Sequence, residues 1–546
     1  MIPRLAVAGV FPCALLSCSE SNRVSRSDRP SGTIVIAASS DPDALFPPLA
    51  LNSEARQATE LIYEYLADVG VGMNTTGDSG FVMQLASGWS WSRDSTQISF
   101  QIRDGARWHD GAPVTSSDVA FSFDIYTDTT VSSMLVRSLA DIDSVTTPHS
   151  AAATFWFSRK GPRQFFTAAA MMLILPRHLF GDVPRDSLRA VTARASPVGS
   201  GQFRLGRWNR GSSFELLPVE GHPRGKPSPE RLIWSIAPEY KAGILQLMGG
   251  ALDVFPNVRG ESVDALAQQG KFNVVSLPGM DYVFMQLNLR DSSGQKPHPI
   301  FGARDVRRAL TMALDRESLV KSLFDSLASV SIGPAVRAFP TTDTLLRQIP
   351  FDPAASRRIL DSLGWKLPAD SGRYGFRVRN GRPLRFHVLV PVSSLSRMRI
   401  AVLIQSQLRA VGVEMVIDQM DYSAFSARQA ARDFDAALAS WHLGSSPEAV
   451  RVTWTSGAAD RGGLNYGGYR NRVFDSLVDS ALSSKSISRS REYFRNANQT
   501  IIDDAPAIWL YEPRTLIAIH RRISTPPLRP NAWWLSLAEW KTHSGN

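Results

Sequence analysis

Apolar and polar positions alternate most clearly in the stretch Leu85–Phe123, where three elements follow one another. In Ile98–Ile102 every second residue is apolar, which is the period of a strand with one buried face. The segment Trp108–Gly111 ends in Asp-Gly, a pair that favours a tight turn. Thr115 then stands where it can cap a helix, and Asp118 follows three residues later as a short-armed capping box. The pattern predicts a strand, a turn and a capped helix.

Strand and helix patterns mix along the rest of the chain, so we predict an α/β fold with mixed sheets. Glycine and proline residues separate these patterns and mark the loops. Apolar runs predict strands at Thr33–Ala37, Tyr282–Asn288 and Val413–Ile417, and helical spacing predicts helices within Ala55–Leu66, Leu245–Gly250, Asp305–Arg316, Asp352–Gly364 and Ile400–Gly412.

Individual polar residues in these elements also carry expectations. In the helix within Asp305–Arg316 one face is apolar, so its arginines, Arg307 and Arg308, are expected to point outward. Asp352 precedes Pro353 and is expected to cap the next helix. Asp253 follows a glycine-terminated helix and is expected to hold local backbone rather than contact a ligand.

Composition is that of a large globular protein. The chain has 546 residues, enough for about three domains. It carries 60 basic and 50 acidic residues, a net charge of +10, without a dense basic run. A nucleic-acid footprint is normally clustered, so we expect no nucleic-acid partner. Weak attraction to an anionic membrane surface is the simpler consequence.

The first residues predict the compartment. Residues 1–18 contain a short apolar run that is too short to span a bilayer and is typical of a signal peptide. Leu15–Cys18 resembles the lipobox of bacterial lipoproteins, in which lipid is attached to the cysteine, here Cys18. The other cysteine, Cys13, would be removed with the signal, leaving no disulfide. Residues 19–32 are polar and suit a flexible tether. An ordinary hydrophobic start with a chance cysteine is the alternative.

Motifs for catalysis, metal binding or phosphate binding are missing from the sequence. The sequence has no paired catalytic carboxylates, His-x-x-x-His, phosphate-binding Gly-x-x-x-x-Gly-Lys or Cys-x-x-Cys pattern. His109 beside Asp110 is the most suggestive acid–base pair, but neighbours on a turn need not face each other. Gly199-Ser200-Gly201 is not the Gly-x-Ser-x-Gly of a nucleophile elbow. His178 has no second ligand at metal spacing and is expected to pack or cap. We predict no enzyme activity, cofactor or metal.

The order of motifs resembles a known family. Leu85–Trp89, Phe100–Arg103, Trp108–Gly111 and Thr115–Val119 are similar to the signature of the family 5 extracellular solute-binding proteins of ABC importers. This group includes oligopeptide-, dipeptide- and nickel-binding lipoproteins. Later segments resemble the family as well: Leu173–His178, Pro197–Leu205 with Gln202 in place of the usual proline, Leu245–Val254 and Asp305–Leu310.

The resemblance implies a two-lobed periplasmic-binding-protein-like fold of type II with an extra small domain. Two crossing segments, near Asp281–Leu287 and Ala505–Tyr511, would form the hinge. The predicted boundaries are 33–56, 197–281 and 505–546 for lobe I, 57–196 for the small domain, and 282–504 for lobe II.

The same resemblance implies capture of a peptide-like solute for an ABC permease and ATPase complex. The protein would be monomeric and lipid-anchored at the periplasmic or extracellular face of a bacterial membrane. Another cargo of the family, an oligosaccharide, nickel or haem, is the alternative, and a secreted hydrolase is a remote one. Most of the 13 tryptophans are expected in the core, so they support sugar stacking only weakly.

The candidate ligand-binding residues follow from motif positions. They are Asp43, Leu45, Phe46, Tyr282, Trp441, His442, Ser445 and Ser446. In many peptide-binding members an aspartate between a tryptophan and a proline pairs with the peptide's amino terminus. Here Trp441 and Pro447 have no carboxylate between them. The protein is therefore expected not to hold an amino terminus there, or to neutralise it from Asp43 or Glu448.

Overall fold

The computed structural model describes residues 32–291, 293–369, 375–460 and 463–543. The predicted signal peptide, the lipobox with Cys18 and all of the tether except its last residue lie outside these ranges. No helix in the described ranges combines the length and apolarity needed to cross a membrane.

Two large mixed sheets organise the chain. The seven-stranded sheet has the order Phe272–Leu277, Thr515–His520, Val254–Phe255, Thr33–Ala38, Arg231–Ile236, Ser213–Pro218 and Phe203–Asn209. The six-stranded sheet has the order Ala328–Val330, Ala507–Pro513, Asp281–Leu287, Ala436–His442, Arg385–Pro391 and Glu414–Met420. Each contains parallel and antiparallel pairs. The predicted α/β class with mixed sheets is confirmed.

Smaller sheets complete the strands. A four-stranded sheet has the order Ala86–Trp91, Gln97–Ile102, Ala152–Phe157 and Ile142–His149. Two-stranded sheets pair Ala67–Val69 with Phe81–Met83, Val378–Arg379 with Arg382–Pro383, and Ile523–Ser524 with Lys541–Thr542.

Fifteen α-helices lie within the described ranges. They are Ser53–Ile62, Ser116–Thr127, Gln164–Ala170, Arg177–Phe180, Leu188–Thr192, Tyr240–Met248, Val263–Gln268, Arg304–Met312, Arg316–Phe324, Pro353–Ser362, Leu395–Arg409, Tyr422–Ala430, Ala449–Trp454, Arg472–Ser483 and Ile487–Asp504.

Strand burial follows the sequence pattern. Every residue of Thr33–Ala38 is buried, because this strand is central and both faces are covered. In Asp281–Leu287 successive side chains enter opposite cores. Val283 and Met285 join one hydrophobic cluster, and Tyr282 and Phe284 join another.

The helix of the Leu85–Phe123 stretch begins as predicted. Its first turn holds a capping box, in which the Thr115 N–H donates to the Asp118 carboxylate at 2.8 Å. Asp118 also accepts the Arg177 N–H at 2.8 Å, and this bond attaches the helix Arg177–Phe180 to the helix Ser116–Thr127. The predicted caps at Asp352 and Gly249 are confirmed as well.

The prediction for one arginine of Arg304–Met312 was wrong. Arg307 is only 6% exposed, whereas an outward position was expected. Its guanidinium donates to the carbonyls of Phe301, Asp504 and Ala505. Asp504 ends the helix Ile487–Asp504, whose last carbonyls lack partners within the helix. The charged Arg307 side chain is buried here because it donates hydrogen bonds to these carbonyls.

The chain passes between the two large sheets twice. It leaves the seven-stranded sheet after Leu277 and enters the six-stranded sheet at Asp281, and it returns between Pro513 and Thr515. The two passages touch: a Cβ at Gly279 would lie 1.8 Å from the Pro513 carbonyl oxygen. Glycine is required at this approach of two backbones.

Candidate ligand-binding cavity

A cavity of about 990 Å³ opens between parts of the chain that belong to different sheets. One wall comes from residues 47–69 around the helix Ser53–Ile62, and a second from residues 126–173 beside the four-stranded sheet. The third wall is residues 444–452, which follow a strand of the six-stranded sheet, with residues 482 and 483. We call this space the charged cavity. It is large enough for a ligand of several residues.

Two predicted site residues line the charged cavity. Ser445 and Ser446 are both in its wall. The Ser445 hydroxyl accepts from the Asn531 amide at 2.7 Å, and the Ser446 hydroxyl accepts from the Glu448 N–H at 3.3 Å. The first bond joins the loop that carries both serines to the C-terminal segment, and the second lies within the loop itself.

The predicted residues of the first loop lie beside the cavity wall, which contains Pro47 and Pro48 instead. Leu45 and Phe46 are buried. The Asp43 carboxylate accepts backbone N–H groups from Ala44, Leu51 and Asn52. Asp43 therefore organises the loop that carries the prolines.

The predicted residues on the six-stranded sheet also lie outside the lining. Tyr282 is 0% exposed, and its hydroxyl accepts from the Trp454 indole at 2.8 Å. Trp441 is half-buried against Tyr466. His442 is exposed and hydrogen-bonds Asp281 at 3.2 Å. The ligand-binding role of these three residues stays a prediction.

Three ion pairs lie in the cavity wall, and the sequence motifs did not indicate this pairing. Arg163, beside the four-stranded sheet, pairs across the space with Glu448 of the third wall. Arg529 pairs with Asp68 at 2.9 Å, and Arg56 pairs with Glu60 at 3.2 Å. Only Arg56 and Glu60 have a sequence signal, their i,i+4 spacing on one helix. The other two pairs join residues far apart in the chain.

Burial shifts the pKa values of two of these charged groups. Desolvation, together with the nearby Arg451 charge, lowers the pKa of Arg163 to about 10, while Asp141 opposes the shift. Desolvation raises the pKa of the Asp68 carboxyl, while Arg529 opposes that rise. The cavity is therefore a place where an opposite charge has a larger effect than in bulk water.

The suggestive acid–base pair of the sequence has structural partners. His109 Nε2 bonds the Gly201 carbonyl at 2.9 Å, and Nδ1 accepts the Gly199 N–H at 3.2 Å. Asp110 bonds His178 at 2.7 Å instead. A Cβ at Gly199 would lie 1.8 Å from the Ile62 carbonyl oxygen, so glycine is needed at this close approach. His109 fastens the turn to the Gly-Ser-Gly segment.

The chemistry of the lining suits a polar, charged chain. Its described residues include no histidine, cysteine or tryptophan. Within the part of the chain that the structure describes, no group of three or more His, Cys, Asp or Glu could hold a metal ion. Eight of the 13 tryptophans are buried in the cores. Neither sugar stacking nor metal coordination is favoured by these residues.

The family is decided by a match over most of the chain. The model described as bacterial extracellular solute-binding proteins, family 5, middle region, matches residues 80–462. The chain belongs to this family. Two relatives are similar to this family 5 protein over nearly its whole length. The oligopeptide-binding protein AppA of Bacillus subtilis is 25% identical over 97% of this chain and 98% of its own. The probable D,D-dipeptide-binding periplasmic protein DdpA of Escherichia coli is 24% identical over 90% and 91%.

Solved structures of similar proteins share the two-lobed fold of this family 5 protein. Bacillus subtilis AppA in complex with a nonapeptide has a TM-score of 0.73 at 22% identity, covering 94% of this chain and 100% of that one. Campylobacter jejuni NikZ in complex with Ni(L-His) has a TM-score of 0.74 at 21% identity, with the same coverage. The chain is an extracytoplasmic solute-binding protein with the predicted fold.

Proposed function

We propose that this protein binds a peptide in the charged cavity and delivers it to the permease of an ABC importer. The cavity carries the proposal, because three distant parts of the chain form its walls: residues 47–69, residues 126–173 beside the four-stranded sheet, and residues 444–452, which follow a strand of the six-stranded sheet. Relatives named for oligopeptide and dipeptide binding support a peptide cargo. His109 and Asp110 are engaged in structural bonds, which supports binding without catalysis.

Binding would act through lobe closure. The boundaries predicted at 281 and 505 would divide the six-stranded sheet, so we assign lobe I to 33–56, 197–280 and 514–546, the small domain to 57–196, and lobe II to 281–513. Two passages connect the large sheets, at residues 278–280 and 514, so they are the natural hinge. A ligand touching both lobes stabilises the closed form by its differential affinity. Small-angle scattering should show compaction at saturating peptide; identical curves would contradict closure.

The protein would be a monomer held at the membrane by lipid on Cys18. The lipobox-like Leu15–Cys18 supports this anchor. Labelled palmitate should enter the natural protein and not the variant Cys18→Ser. Equal labelling of both would rule the anchor out.

Ligand released from purified protein tests the proposed cargo. Protein expressed in its host and denatured under mild acid should release a set of short peptides, identified by mass spectrometry. A sugar, a metal complex or haem as the stoichiometric ligand would overturn the peptide assignment. Addition of the released peptides to stripped protein should restore a one-to-one complex.

A further inference from the structure

Positive charge exceeds negative charge around the charged cavity. The lining holds seven basic and four acidic residues, a net charge of +3: Arg56, Arg137, Arg159, Lys160, Arg163, Arg451 and Arg529 against Glu60, Asp68, Asp141 and Glu448. A cleft lined by one sign of charge raises the local concentration of ligands of the opposite sign.

The excess is concentrated on one side of the cavity. Arg56 and Arg529 are balanced by Glu60 and Asp68 on the first wall. The second wall presents the exposed side chains of Arg137, Arg159 and Lys160. None of these three forms an ion pair with a described residue. A ligand entering along this wall meets cations that are not held in ion pairs, and Asp141 is the one acidic residue of this wall's described lining.

Arg163 stands at the inner end of this wall and is mostly buried. Its side chain is 20% exposed, and its guanidinium lies 5.3 Å from the centre of the Phe166 ring. Its Nε is buried and has no hydrogen-bond partner among the described residues. A cation in this position needs a counter-charge, since leaving a buried charge uncompensated is strongly destabilising.

Glu448 supplies that counter-charge in this structure, and it can be replaced. The Glu448 side chain is 48% exposed, so water can solvate its carboxylate if it leaves Arg163. Arg163 has much less access to water. The pair is therefore asymmetric: the arginine requires an anion, while the glutamate does not require the arginine.

We propose that the solute is an anionic peptide, one of whose carboxylates takes the place of Glu448 at Arg163. This inference rests on the proposed function, because it takes the cargo to be a peptide. Arg159 and Lys160 attract the ligand at the opening, and Arg163 binds its carboxylate. Glu448 occupies the same position when no ligand is bound. Exchange of one carboxylate for the other keeps Arg163 compensated throughout.

Titration calorimetry on the stripped full-length protein tests this. The probes are five-residue alanine peptides with glutamate at one position, their glutamine counterparts, and both sets with C-terminal amides. A side-chain carboxylate at Arg163 predicts that the best glutamate peptide binds at least tenfold tighter than its glutamine counterpart, with or without the amide. A C-terminal carboxylate at Arg163 predicts instead that the amide weakens the binding of every peptide at least tenfold.

Variants assign the effect to the pair. In Arg163→Gln the preference should fall to about threefold or less, and in Arg163→Lys part of it should return. Glu448→Gln should bind the acidic peptide more tightly, because the competing carboxylate is gone. Arg189→Gln, an exposed arginine outside the cavity, is the matched control and should keep the full preference.

Three results would overturn the inference. Equal affinity for glutamate and glutamine peptides together with no effect of the C-terminal amide, or a preference that persists in Arg163→Gln and does not grow in Glu448→Gln, would reject the anionic ligand while leaving peptide binding intact. Failure of every peptide to bind, together with a non-peptide ligand released from the purified protein, would reject both the inference and the proposed function.

Discussion

Replacing Asp253 should destabilise the seven-stranded sheet without touching the cavity. Its carboxylate is 0% exposed and accepts the Val35 N–H at 3.0 Å. Arg522 donates to both of its oxygens, at 3.0 and 2.6 Å, and to the Thr33 carbonyl. The aspartate thus joins the central strand to the C-terminal part of the chain; it was expected to hold local backbone, but the backbone that it holds is distant in sequence.

The size of the effect follows from the partners left behind. Removing one member of a buried ion pair costs about 3–5 kcal/mol, because the other charge is left without compensation. The Arg522 side chain is 17% exposed, so water recovers little of this cost. We expect about 4 kcal/mol for Asp253→Ala. In Asp253→Ala with Arg522→Met no charge is left unpaired; the Val35 N–H is orphaned, at about 1–3 kcal/mol, and the Thr33 carbonyl loses the Arg522 donor.

Urea denaturation followed by tryptophan fluorescence measures both variants. The double variant should be more stable than the single one by at least about 1 kcal/mol, since it removes the unpaired charge. Asp433→Ala, whose side chain is 71% exposed in a pair with Arg428, is the control and should change stability by less than about 0.5 kcal/mol. A loss below about 1 kcal/mol in Asp253→Ala, or equal stability of the single and double variants, would refute this reasoning.

Three further outcomes are expected. Burial holds the pKa of His109 below its ordinary 6.5, so its contribution to stability is complete above that value and is lost as pH falls toward the folded-state pKa. The melting temperature of His109→Gln should fall less between about pH 7 and about pH 5 than that of the natural protein. An unchanged dependence of melting temperature on pH would contradict the assignment. Tyr282→Phe should lower the unfolding free energy by about 1–3 kcal/mol, because the Trp454 indole N–H loses its acceptor. The Asp43 carboxylate is engaged by backbone N–H groups, so in Glu448→Gln calorimetry should find that N-acetylation of a bound peptide costs less than tenfold in affinity; a hundredfold loss, about 2.7 kcal/mol, would show that an amine anchor exists.

Local elements of this fold could be predicted because their causes are local. The Thr115 capping box, the Asp352 cap and the alternation in Gln97–Ile102 all depend on residues a few positions apart. Asp253 was expected to hold backbone because of the turn chemistry around it, and His109 was not expected to face Asp110. Their partners, Arg522 and the carbonyl of Gly201, could not be predicted, since distant segments supply them.

The sequence by itself determined the class of fold, the helix starts at Thr115 and Asp352, and the family, because helix caps, apolar periodicity and motif spacing are short-range properties. Only the tertiary structure decided which polar groups are buried and which face the cavity. A strand period of two says that Tyr282 and Val283 point apart, but both faces of that strand are buried, so the pattern could not tell core from cleft. Arg307 and Arg163 look alike in the chain. Arg307 is hydrogen-bonded to the last carbonyls of a distant helix, whereas Arg163 pairs with a glutamate from a distant part of the chain, and that difference arises only when the chain folds.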